Sequence, residues 1–483
     1  FNIESGSKIF FDILNLNLPA DFNQENFNPV KKLFKKIKGK PYSINTIDKI
    51  LNEIDSITTL EQYKFIKANV IETIDQNFIN LEFIVEEADK FYIDRINIFG
   101  NTVTAESVIR NQLLLDEGDP FSDILVNKSV NNIKSLNFFK KVNSKISFND
   151  NNMTKSIDIF VEEKPTGEIY ASAGAGTSGA SFGFGVKENN FLGNGIGLDS
   201  NFFVSTSEFK GKFSVTNPNF NNSDKSLYFS AQATENDNYK TFGYKTNKTG
   251  FSVGTNFEYL NDFYLGLNNS NFYETIETNS TASSQQQQQE GNYWDSFIIF
   301  DMNYDKRNQK FQTNSGFKSF YSLNLPVVSD TNTIKNYYNY SKYFSFFEKN
   351  FSSLSLYLQS ANSINNKNIK LSERITIPSS RLRGFQYGRI GPKDGDDFIG
   401  GNYAYSLNFS SNLPAIFEES QNLDFLIFAD AADIWGVDYN SSIKGDGIRS
   451  SIGVALDWLT PVGPINFTLA YPISKQTGDK TES

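Results

Sequence analysis

The stretch Tyr403-Ala404-Tyr405-Ser406-Leu407-Asn408-Phe409-Ser410 alternates, residue by residue, between large apolar and small or polar side chains. A strand turns successive side chains to opposite faces, so this alternation makes a ribbon with one oily and one wet face. Neighbouring segments keep the same parity. Leu354, Leu356 and Leu358 oppose Ser355, Tyr357 and Gln359. Ile448, Ile452, Val454, Leu456 and Trp458 oppose Arg449, Ser451, Gly453 and Asp457, and Ile465, Phe467, Leu469 and Tyr471 oppose Asn466, Thr468 and Ala470. Lipid outside and water inside a barrel would produce this pattern, and so would a soluble sandwich with one buried face per sheet.

Loop lengths favour the barrel. A long polar excursion from Asn269 to Gly291, with its run Gln285 to Gln289, contrasts with tight turns such as Asn261-Asp262. Short turns on one rim and long loops on the other are expected of an outer-membrane barrel. From Gly167 onward fifteen strand-sized segments are placed, at about 167–176, 179–188, 196–205, 208–216, 224–235, 246–259, 261–275, 292–305, 314–325, 335–346, 351–362, 402–413, 422–433, 447–459 and 464–472. Single-chain bacterial barrels have even strand numbers, so the expectation is 16 strands with the last one beyond Ser483 and the carboxyl end truncated. The start at Phe1, with no initiator Met and no signal segment, likewise sets the expectation of a missing amino end.

Composition agrees and excludes much else. The chain of 483 residues holds 46 Phe and 23 Tyr but no Cys and no His. Thiolate and imidazole metal sites, Cys nucleophiles and Ser-His-Asp triads lack their parts, so neither an enzyme nor a cofactor site is expected. A net charge of −10 argues against nucleic acid, and the short basic run Lys31 to Lys40 reads as a solvated helix end. Gly174-Ala175-Gly176-Thr177-Ser178-Gly179 fits G-x-G-x-x-G, but strand-like segments flank it where a nucleotide site needs a helix. Lys393-Asp394-Gly395-Asp396-Asp397 lacks the spacing of a Ca²⁺ loop and reads as a solvated surface loop.

The character of the chain changes near Pro165. Before it, Phe91 to Phe99 predicts a strand, Gly100-Asn101 a turn, Thr104 the cap of a helix to about Leu114, and Ser122 the cap of a second helix ending near Leu136. Phe138 to Phe148 and Ile157 to Glu163 supply two more strands. This β-α-α-β-β order resembles a POTRA domain, giving domains at 89–164 (POTRA), 1–88 (a second POTRA with its first strand partly cut away) and 165–483 (barrel).

The most specific signal is Arg381-Leu382-Arg383-Gly384-Phe385, followed by Ile390-Gly391-Pro392-Lys393 and Gly400-Gly401-Asn402. It resembles the loop of BamA-type outer-membrane assembly factors, whose RGF tip folds back inside the barrel. Tyr304-Asp305-Lys306-Arg307-Asn308, Asn190-Phe191-Leu192-Gly193-Asn194-Gly195 and Gly463-Pro464-Ile465 are weaker echoes in the expected order. A buried arginine needs a carboxylate. Asp430 is the candidate partner of Arg383, because Phe425, Ile427, Ala429 and Ala431 form the lipid face of its strand and leave Asp430 to the lumen. The resemblance implies a second acid facing this arginine, and the matching position in the present chain is Asn408. The first barrel strand, with Gly167, Tyr170, Gly174 and Gly176, is rich in small residues and expected to make a weak lateral seam with the last.

The resemblance implies insertion of client barrels through that seam, with unfolded outer-membrane proteins as clients, periplasmic lipoproteins held by the POTRA domains, and outer-membrane lipid as solvent. It places the barrel in the bacterial outer membrane and the POTRA domains in the periplasm. Two-partner secretion and TamA-like transporters share the architecture and remain rivals. A plain porin would not carry POTRA-like modules, and a barrel hydrolase needs a dyad that a chain without His cannot supply.

Overall fold

A computed structural model describes residues 9–20, 22–40, 42, 44–60, 66–75, 77–87, 91–149, 153–176, 179–309, 312–330, 332–347, 350–413, 423–445, 447–460 and 463–482. It divides into two units, 1–166 and 167–483.

The first unit holds two modules of one plan. In the first, β1 (Phe10–Asn17), α1 (Asn28–Ile37), α2 (Ile44–Leu60), β2 (Ile66–Asp75) and β3 (Phe78–Glu87) build a sheet of order β1-β3-β2, with β1 parallel to β3. Phe27, Ile54 and Phe83 meet in its core. Strand β1 runs for eight residues, as many as the corresponding β4 (Tyr92–Phe99) of the second module.

The second module adds α3 (Glu106–Arg110), α4 (Asp123–Ser135), β5 (Phe139–Asn149) and β6 (Thr154–Glu163), in sheet order β4-β6-β5. Helix α4 buries Val126, Val130 and Ile133 at helical spacing against Ile93, Ile157 and Ile159 of the sheet. Ser122 caps it as expected, accepting from the Leu125 amide. The Thr104 cap is corrected. Helix α3 is a bare five residues without a side-chain cap, because Glu163 at the end of β6 takes the backbone instead. The Glu163 carboxylate accepts from the amides of Thr104 (2.6 Å), Val103 (3.0 Å) and Thr102 (3.0 Å) and from the Thr102 hydroxyl (2.7 Å). Burial alone would raise its pKa, but these donors outweigh it and bring the carboxyl down to about 2. Gly100 turns the chain at φ +91°, where a Cβ would overlap the Val161 carbonyl oxygen.

The second unit is one fifteen-stranded antiparallel sheet whose strand order follows the chain. Its first strands are β7 (Gly167–Gly176), β8 (Gly179–Phe191), β9 (Ile196–Ser205), β10 (Glu208–Asn217), β11 (Lys225–Asn238), β12 (Tyr244–Leu260) and β13 (Phe263–Thr278). Then come β14 (Gly291–Asp305), β15 (Gly316–Ser329), β16 (Thr333–Phe344) and β17 (Ser352–Ser363). A long loop, 364–402, carries a small hairpin of β18 (Lys393–Asp394) and β19 (Asp397–Phe398). The sheet resumes with β20 (Tyr403–Asn412), β21 (Leu423–Trp435), β22 (Arg449–Thr460) and β23 (Gly463–Ser474). All fifteen expected strands are present. The polar excursion expected from Asn269 is shorter than its composition suggests: β13 continues to Thr278 and 279–290 form the loop, since Asn and Thr within a strand look like loop residues. Of the G-x-G-x-x-G stretch, Thr177 and Ser178 lie outside the described residues, and strands flank it on both sides.

Parity holds through the sheet. Phe184, Phe251, Leu407, Ile427, Phe467 and Leu469 stand exposed on one face, as lipid contact requires, while Ser406, Asn408, Asp430 and Ser451 are buried on the other. Among the described residues no helix is long and apolar enough to cross a membrane, so the strands carry the hydrophobic face.

Candidate functional site

The loop 364–402 meets sheet walls far apart in strand order, which requires the sheet to curl around it. Lys370, 1% exposed, sets its ammonium 2.7 Å from Glu274 of β13 and on the Asp295 carboxylate of β14. Glu373, three residues on, pairs with Lys335 of β16 at 3.4 Å. Arg374 binds Asp438 and donates to Asn402 (3.0 Å). A few residues later the chain reaches the opposite group of strands, β20 to β23.

There Arg383 forks onto Asp430 of β21, Nε to Oδ2 at 2.8 Å and Nη2 to Oδ1 at 2.8 Å, and its own amide donates to Oδ2 at 3.2 Å. Its guanidinium lies 3.5 Å above the centre of the Phe428 ring. Both planar groups are thereby held in one orientation, which a lysine at 383 would not reproduce. Gly384 is in the left-handed region, φ +88°, and a Cβ there would stand 3.0 Å from Cβ of Ala470 on β23. Phe385, 2% exposed, fills a cluster with Tyr357, Leu382, Ile390 and Ile434. Gly391, φ +91°, lets the Ile390-Gly391-Pro392 turn press on Ile434.

Asn408, at the position where the resemblance implies a second acid, belongs to this group. It sits opposite Asp430 in the β20–β21 register, donates from Nδ2 to Asp430 Oδ1 (2.8 Å) and to the Arg381 carbonyl (2.7 Å), and accepts from Ser406 (2.9 Å) and Arg381 (3.5 Å). An asparagine here braces the carboxylate that a second acid would repel. Arg381 is also tied to Asn339 of β16 at 2.8 Å.

At the other end of the strand order, β7 pairs with β8 from Gly167 opposite Glu188 to Gly176 opposite Gly179. Tyr170 lays its ring in the space left at Gly185, a packing that rescues a glycine in a bare strand, and its hydroxyl reaches Asp199 at 3.5 Å. A Cβ on Gly167 or Gly174 would meet only side-chain tips, Glu188 and Ser181 respectively. Local sequence could not disclose the Lys370, Glu274 and Asp295 group, because each is an ordinary charge until the loop folds inward. Asp394 is likewise more than a solvated loop acid: it accepts from Ser283 (2.6 Å) and Tyr439 (2.9 Å).

Residues 190–483 match the Omp85 superfamily domain. The chain belongs to the Omp85 superfamily. In this Omp85 chain residues 91–164 further match the POTRA family, described as a surface antigen variable number repeat. It is 24% identical to the outer membrane protein assembly factor BamA of Neorickettsia risticii, over all of this chain and 66% of that protein. It is 22% identical to BamA of Neisseria meningitidis, over 97% of this chain and 65% of that protein. It thus spans about two thirds of the length of these curated relatives. Among solved structures it resembles BamA from Haemophilus ducreyi lacking POTRA domains 1–3, with TM-score 0.70, 23% identity and 98% of each chain covered. The chain is therefore a BamA-type Omp85 barrel of the outer membrane, with its POTRA domain, residues 91–164, in the periplasm.

Proposed function

We propose that this Omp85 protein folds and inserts client β-barrels into the outer membrane. The observation that carries the reading is the RGF tip docked inside the barrel wall by Arg383 on Asp430. Such a lock fixes the lumen side of the sheet, while β7, at one end of the strand order, forms the lateral seam with the last strand of the barrel. The small residues of β7 make few side-chain contacts across that seam, so it opens at low cost. An opened β7 offers main-chain donors and acceptors to a client's terminal strand, and strand addition of this kind tolerates any sequence. No cofactor and no catalytic residue is needed for such an exchange of ladders. The POTRA modules offer sheet edges to unfolded clients and docking faces to periplasmic lipoproteins, and the apolar belt takes outer-membrane lipid as its solvent.

The test is complementation in cells depleted of their own assembly factor, with this barrel fused to the host POTRA domains. Restored barrel insertion by the wild type, lost in Arg383→Ala, is the expected result. A correctly localised barrel that never restores insertion but exports a dedicated polypeptide would replace this reading with a secretion function.

A further inference from the structure

The root of the loop 364–402 is fixed to a different wall from its RGF tip, by contacts that the lock on Asp430 does not explain. The Lys370 ammonium is shared by two carboxylates, Glu274 of β13 and Asp295 of β14, and all three groups are buried. Its neighbours are tied as well. The Leu371 amide donates to Gln289 Oε1 at 2.9 Å, and its carbonyl accepts from the Tyr244 hydroxyl of β12 at 3.1 Å. Ser372 donates to Glu274 at 2.9 Å, and Glu373 pairs with Lys335 of β16 at 3.4 Å. Ile375 exchanges two backbone hydrogen bonds with Gly401, at 2.8 and 3.0 Å. Between root and tip, Thr376 bonds Tyr387 at 3.1 Å and the Pro378 carbonyl accepts from the Arg381 amide at 2.8 Å. Both partners lie inside the loop, so 376–380 is a joint between two anchors.

Burial shows what the root does to the lumen. Charges lining a water-filled passage stay exposed, yet Lys370, Glu274 and Asp295 keep at most 2% of their surface, and Ile276 and Thr333, on the same face of β13 and β16, keep none. On the far wall Arg449 of β22 is likewise buried and neutralised by Asp433 and Asp479, each at 3.0 Å. Water is excluded at this level because each charge has found its counter-charge. Arg383 at the tip keeps 22% of its side-chain surface exposed, so water can take over its bonds when it leaves Asp430. We propose that the loop root is a permeability seal of the barrel, bolted by Lys370 as its positioning residue, and that this seal holds while the RGF tip undocks. The barrier function is separate from client insertion and stands without it. Removing the lysine alone leaves two uncompensated acids that draw in water and release the root. The path so opened is lined by negative charge and carries cations.

The experiment is conductance of the full chain in planar lipid bilayers, in a potassium chloride gradient with no client present. Lys370→Met is expected to raise the mean conductance about tenfold, with a reversal potential on the cation-selective side. Lys370→Arg, which keeps the charge and its donors, and Lys370→Met combined with Glu274→Gln and Asp295→Asn, which removes the stranded acids, are both expected to restore most of the seal. Arg383→Ala is expected to stay within about threefold of wild type although hydrogen exchange shows its tip undocked. A leak in Arg383→Ala as large as in Lys370→Met would make root and tip one unit and overturn the proposal. So would Lys370→Met as tight as wild type, or leaking without cation preference. Should Lys370→Met fail to fold, the chain's lack of cysteine permits a second measurement, with Thr333→Cys as a lone thiol. A small charged thiol reagent is expected to leave it unmodified both in the otherwise wild-type chain and with Arg383→Ala added, and rapid modification in either would overturn the seal. Neither readout involves a client, so a barrel that inserts nothing refutes the assembly function and leaves the seal to be judged on conductance and labelling.

Discussion

Replacing Arg383 by alanine removes two side-chain hydrogen bonds to a carboxylate that is itself fully buried, together with the stack on Phe428. Hydrogen bonds to charged groups contribute about 1.5–3 kcal/mol each. The Arg383 side chain keeps 22% of its surface exposed, so water recovers part of the loss, and Asn408 still donates to Asp430. A net cost of about 3 kcal/mol to loop docking follows, which is roughly a hundredfold in the docked-to-undocked ratio. Hydrogen exchange of the peptide covering 381–390 reads this ratio directly, because the Arg383, Gln386 and Arg389 amides are all bonded in the docked state. Arg383→Ala is expected to raise exchange there about a hundredfold, and Arg383→Lys, which keeps the charge but loses the fork, about tenfold. Asp430→Ala added to Arg383→Ala should change little more, since its main partner is already gone. Exchange within about threefold of wild type in Arg383→Ala would refute the lock.

Lys370→Met strands Glu274 and Asp295 as two buried acids and is expected to cost about 3–5 kcal/mol, seen as loss of protection in 369–374; adding Glu274→Gln and Asp295→Asn should restore most of it. Gly384→Ala forces a side chain into the left-handed region against Ala470, with an expected cost of about 1–3 kcal/mol and faster exchange in β23 as well as in the loop. Glu163 has its folded pKa near 2, below the ordinary 4.5, so its contribution is fully present above pH 4.5 and lost as pH falls toward 2. Exchange of the 102–104 amides should accelerate across that window, and Glu163→Gln should abolish the pH dependence while costing about 1–2 kcal/mol in the POTRA domain of residues 91–164.

The placing of the fifteen described strands was legible because a sheet with one apolar face repeats with a period of two, and loop lengths chose the barrel over a sandwich. Parity alone put Asp430 in the lumen, and the need of a buried arginine for a carboxylate joined it to Arg383. Helix α4 was legible from its apolar spacing and Ser122. Where the outcome differed, the deciding partner lay far along the chain. Thr104 lost its capping role to Glu163, fifty-nine residues away. Asn408, at the position where the resemblance implies a second acid, braces Asp430, a role set by its place in the β20–β21 register. Lys370, Arg374 and Arg449 carry no local mark in the sequence that sets them apart from surface charges. A charge becomes a bolt only when the curl of the sheet delivers a carboxylate from another strand into the same dry space, and that curl is a property of fifteen strands together rather than of any one segment.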